Sequence, residues 1–188
     1  MTIVIGLGSL DHIKAQRNCG TVEYQELLKQ RNPAGENIPQ FEEWLKNQID
    51  NKSKTDPFQI LLVKEPIIQI PVVVHVVHNG EPYGIGSNIT DEQILSQIQV
   101  LNEDFRRLNA DADETFPIFE SVAADTEIEF VMAKQDPEGL PTDGILRVQG
   151  TQTSWGFSTD TELKSLSYWP AEDYLNMWVT TLGGGLLG

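Results

Sequence analysis

A single cysteine, Cys19, stands among 188 residues, so no intrachain disulfide can form. Basic side chains are also scarce: 13 Lys and Arg face 28 Asp and Glu, giving a formal net charge of -15 and a pI of about 4.4. A chain this acidic lacks the positive footprint that nucleic acids and anionic membranes require, and neither is expected as a partner. No apolar run approaches the roughly 20 residues of a membrane span. The segment from Met1 to Leu10 is apolar but has no cationic leader and no clean small-residue cleavage site. A signal peptide is therefore incomplete or absent. The sequence carries no Gly-x-Ser-x-Gly elbow, no P-loop and no His-Glu-x-x-His. With three histidines and dispersed acids, the residues by themselves spell no complete active site.

What is present is enough to fold. Hydrophobic residues make up 39% of the chain, which suits one domain with an appendage. The best-specified stretch runs from Thr90 to Asn109. Thr90 and Gln93 form a capping-box pair, and Asp91 and Glu92 at the start oppose Arg106 and Arg107 at the end, as the helix dipole favours. Ile94, Ile98, Leu101, Phe105 and Leu108 form one apolar stripe, so the helix should lie on a sheet. Upstream, Ile67 to Val77 is a β-branched run that reads as an inner strand. Downstream, Thr126 to Ala133 alternates as a strand. Strand, helix, strand is a right-handed crossover unit and defines an α/β (α+β) body. Tyr174 to Thr181 reads as another strand, Ile145 to Val148 as a short one, and Asp136 to Gly139 as a type I turn.

The N-terminal third reads differently. Helical stretches are expected at residues 22–30 and 39–49, the second with Phe41, Trp44, Leu45 and Ile49 on one face. The polar segment 50–57 then serves as a linker. Residues 1–57 thus form a helical appendage, and residues 58–188 the body. MTIVIGLG at the start invites a dinucleotide-binding reading, but Asp11 occupies the place of the third glycine, where it would face a pyrophosphate. His75 and His78 are spaced for opposite faces of a strand and should not share one metal ion. Asp104 and Arg107 read as a helical ion pair, and Glu127 and Glu129 as a solvated strand face. Cys19 is either a small buried side chain or a thiolate ligand with Arg17 favouring the anion and Gly20 giving backbone clearance.

IPVVVHVVH (70–78), VLNEDFRRLN (100–109), VAADTEIEFVMA (122–133), DPEGLPTDGILRV (136–148) and YLNMWVTTLGGGLLG (174–188) together resemble the pappalysin-type zinc metalloendopeptidases. These are the bacterial relatives of pregnancy-associated plasma protein A within the metzincins. The pieces follow the family's order across most of residues 67–188. RNCGT (17–21) is the narrower match for its prosegment. The resemblance implies a twisted, five-stranded mixed sheet with the Thr90 helix behind it, its other face open until a later zinc-binding helix covers it. It further implies a secreted bacterial zymogen whose zinc ligands and general base lie outside this chain, which should be inactive alone. Calcium has no readable signature here. Peptide or protein substrate would pair with an edge strand at Gly185, Leu186, Leu187 and Gly188. In the latent form Cys19 would take the fourth zinc position, with Arg17 and Gly20 supporting it. Two alternatives stand beside this reading: a non-catalytic binding or regulatory module, and the dinucleotide-binding protein.

Overall fold

Eleven residues, β2 (Ile68–His78), form the strand from which the rest is hung. The computed structural model describes residues 18–33, 35, 38–53 and 67–187. β3 (Ile128–Met132), β4 (Ile145–Gln149) and β5 (Leu175–Val179) all pair with β2, and all in parallel. The Val72 carbonyl accepts from Ala133 and the Val74 amide donates to the Gly144 carbonyl. Alternate residues of a strand address the same edge, so β3 and β4 lie end to end along one edge of β2. β5 shares Val74 to Val76 with β4 and therefore takes the other edge. At the β3/β4 junction Gly144 has φ +80°, and a Cβ there would sit 2.9 Å from the Ala133 nitrogen. The main sheet of the described residues is thus four-stranded and parallel, where the resemblance implied five strands of mixed direction.

Both faces of β2 are covered from Val72 to Val77, as its β-branched run requires. Val72, Val74 and Val76 pack with Phe130 against Ile94 and Ile98 of α3 (Asp91–Phe105), the expected backing helix. Val73 and Val77 face the other way, onto Trp169 and onto Trp155 and Leu163. The open second face implied by the resemblance is therefore filled along β2 by the segment that precedes β5. That segment includes α4 (Asp160–Ser165), which the sequence pattern did not suggest.

α3 begins as expected, with the Thr90 hydroxyl accepting from the Gln93 amide. It ends earlier. Arg107 turns left-handed (φ 53°), the Leu108 amide donates to the Glu103 carbonyl, and Leu108 leaves the stripe, 70% exposed. Neither arginine lies within the last turn. Arg106 pairs with Asp125 (2.9 Å) and Glu129 (2.5 Å), and Arg107 donates to the carbonyls of Ala123 and Ala112 instead of reaching Asp104. Glu129 is thus an ion-pair partner, and Glu127 lies just before the strand at φ 55°. The turn at Asp136 forms, closed by Gly139 N donating to Asp136 O at 2.9 Å.

Ahead of the sheet come β1 (Asn18–Cys19), α1 (Thr21–Arg31) and α2 (Ile38–Ser53). α2 runs through four residues assigned to the linker on sequence, and its Phe41, Trp44 and Ile49 are exposed rather than packed. The rest of that linker and the Gly-x-Gly segment lie outside the described residues.

Candidate functional site

After β5 the chain turns through Gly184 (φ +67°) and Gly185 (φ +73°) into β6 (Leu186–Leu187). β6 stands apart from the main sheet. Its partner is β1, in parallel register, Asn18 with Leu186 and Cys19 with Leu187. The segment read as a prosegment motif and the segment read as a substrate edge are therefore paired with each other. Gly185 belongs to the turn, not to the strand, because its left-handed φ ends extended geometry there. Arg17 and Gly188 lie outside the described residues.

Gly20 is buried, and its role is steric. A Cβ at this position would lie 2.2 Å from Phe157 Cζ and 3.2 Å from Leu186 Cδ2. The ring cannot simply swing away, because it stacks on Tyr24 at 5.6 Å between centroids. A cavity of about 280 Å³ opens beside this contact, lined by Tyr24, Trp155, Phe157, Leu163, Leu182 and Leu186. Trp155 holds the approach to β6: its amide donates to the Thr181 carbonyl, and its carbonyl accepts from the Gly183 amide.

A polar cluster that the sequence reading missed closes the other side. Tyr24 Oη donates to Asp160 Oδ2 at 2.6 Å, Arg31 Nη1 donates to Asp160 Oδ1 at 2.6 Å, and Arg31 Nη2 donates to the Phe157 carbonyl at 2.9 Å. Lys164 Nζ donates to Tyr24 Oη at 2.7 Å. Burial alone would raise the Asp160 carboxyl, but the hydrogen bonds from Arg31 and Tyr24 and the charges of Lys164 and Arg31 hold it below the usual aspartate range. Burial likewise opposes the charge on Lys164, and its contacts with Tyr24 and Asp160 outweigh that and raise it. Tyr24 and Arg31 lie seven residues, two helical turns, apart on one face of α1. That spacing and the Asp160/Lys164 pair at i, i+4 were the available signals.

His75 and His78 lie on opposite faces of β2 and are not placed to share an ion. His75 is fully buried, stacked on Trp178 at 4.9 Å, with Nδ1 2.9 Å from Ser167 Oγ and Nε2 2.9 Å from Asn176 Oδ1. Asn176 Oδ1 also accepts from the Trp169 amide, so His75 Nε2 carries the proton and Nδ1 accepts from Ser167. Serine, histidine and amide imitate a nucleophile with its base, yet a ring with 0% exposure can meet no substrate. Burial lowers its pKa, partly offset by Asn176. His78 Nδ1 accepts from the Gly80 amide on the opposite face. Among the described residues no three His, Cys, Asp or Glu side chains converge where a metal ion could sit. The described residues therefore do not fit a complete zinc site.

The solved structures similar to this chain are metzincin metalloproteases. Mature mirolysin of Tannerella forsythia in complex with a cleaved peptide is 43% identical over 64% of this chain and 45% of its own, with a TM-score of 0.57. Mirolysin in complex with a small compound gives 44% over 63% and 44%, with a TM-score of 0.57. A point mutant of Tannerella forsythia promirolysin gives 38% over 91% and 52%, with a TM-score of 0.62. The chain spans about half the length of these relatives. No family model and no curated protein matches it. These neighbours favour neither the regulatory-module nor the dinucleotide reading.

Proposed function

We propose that this chain is the prosegment (residues 1–57) and the upper part of the catalytic domain (58–188) of a secreted bacterial zinc metalloendopeptidase of the pappalysin type, in its latent form. The carrying observation is the β1/β6 pair: main-chain groups available for an extended peptide are taken by residues 18 and 19. The matched share supports the same division, rising from 64% of this chain with mature mirolysin to 91% with promirolysin. That difference is about a quarter of the chain, comparable to the stretch ahead of β2.

In this reading zinc supplies a polarised water when its ligands, which are not among the described residues, are in place. The residues here do the rest. β6 aligns the peptide backbone, and β1 blocks that edge until it is removed. Cys19 would hold a position on that metal in the latent state, with Arg17 favouring the thiolate. Cleavage of the segment 50–57 frees the edge. The complete protein provides the test: Cys19→Ala should shorten the lag before chelator-sensitive peptidase activity appears, with secretion and folding intact. An unchanged lag returns Cys19 to the role of a small side chain in a two-residue strand.

A further inference from the structure

Arg31 is bound as a ligand would be. Its guanidinium offers a planar fork, and three acceptors from the body meet it: Asp160 Oδ1 at 2.6 Å, the Phe157 carbonyl at 2.9 Å, and Thr161 Oγ1 at the limit of 3.5 Å. The carboxylate is well sheltered, its side chain 15% exposed, and its second oxygen is fixed by Tyr24. Lys164 steadies the same centre from behind, 3.5 Å from Asp160 Oδ2 and 5.2 Å from the Tyr24 ring centroid. Helix α1 has no buried residue and is polar on average, so hydrophobic burial alone does not hold it. Two of its side chains, Tyr24 and Arg31, converge on the one Asp160 carboxylate.

We propose that Phe157, Asp160 and Thr161 form a guanidinium-binding site on the body, filled in cis by Arg31, which keeps residues 21–31 seated without any metal. The inference rests on reading residues 1–57 as a prosegment and gives that prosegment a second anchor. Latency would then have two independent holds. One is coordination through Cys19; the other is recognition of Arg31, 12 positions further along the chain at the far end of α1. A site built for a fork discriminates against a point charge, so lysine is a poor substitute.

The 188-residue chain suits the test, because docking is read without activity and without zinc. Backbone hydrogen exchange is followed across residues 22–31 in the parent chain, Arg31→Ala, Arg31→Lys, Asp160→Asn and the Arg31→Ala/Asp160→Asn double variant. Exchange across Val72–Val77 in each variant reports that the body is folded. Each single variant is expected to exchange at least about tenfold faster over α1, the change for roughly one lost charge-assisted hydrogen bond. The double variant should fall well short of the product of the two single effects, since both remove the same ion pair while each also touches a partner of its own. Arg31→Lys should recover less than half of the protection. Protection of α1 that is indifferent to Asp160→Asn, or single effects that simply multiply, would overturn the site. Should Asp160 control docking while Cys19→Ala and Arg31→Ala combined leave latency of the complete protein untouched, the guanidinium site stands and the prosegment reading fails.

Discussion

His75 shows how one residue can look catalytic and be structural. Its ring sits at the centre of β2, and each nitrogen already has a partner in Ser167 and Asn176. Burial depresses its pKa, so the folded chain holds this imidazole neutral where the unfolded chain would protonate it. The unfolded state then binds more protons below the ordinary histidine value of about 6.5, and stability falls as pH drops through that value. Thermal melts of the parent chain should show a midpoint that declines on mild acidification. His75→Gln should melt lower at neutral pH and lose that decline; a slope that persists in the variant would assign it elsewhere.

At the scale of elements, Asn102 joins helix to sheet. Its side chain accepts from the Phe130 amide at 2.7 Å and donates to the Phe130 carbonyl at 2.9 Å, giving β3 at this position the contacts a further strand would supply. Asn102→Ala strips both and should cost about 1–3 kcal/mol in urea unfolding. Docking of α1 carries its own pH sign. The Asp160 carboxyl is depressed in the folded state, so its contribution is complete above the ordinary aspartate range and is lost as pH falls through the lower, folded value. Amides of residues 22–31 should stay protected at neutral pH and lose protection in acid before β2 does. Much of this was legible: Thr90 and the 4-3-4-3 spacing fixed where α3 starts and which side it buries, and β-branched density marked β2. Its end was not, because Arg107 adopts a left-handed conformation that composition does not announce. Nor was β1, and β6 was expected only through the family resemblance, since strands of two residues have no periodicity and exist only through a distant partner. The Asp160 cluster was hidden for the same reason: Tyr24 and Arg31 acquire meaning only opposite α4.

For the whole molecule, the -15 charge agrees with a body whose recognisable contacts are with its own N-terminal segment. The chain spans about half the length of its neighbours, and its own residues assemble the edge rather than the chemistry. Arg31 and Asp160 are separated by 129 positions. A ribosome adding about 5–20 residues per second needs roughly 6–26 s to cross that interval. Throughout that time α1 has emerged and its docking partner has not. α1 must therefore wait for Asp160 to be made, and it docks late, onto a body organised around β2. Its contacts should be absent from the folding transition state. Asp160→Asn is accordingly expected to leave the refolding rate of the body unchanged in stopped-flow tryptophan fluorescence and to appear only in the unfolding limb. Order of synthesis thus gives α1 a timing of its own: made before its docking partner, it is seated late and can leave without taking the fold with it.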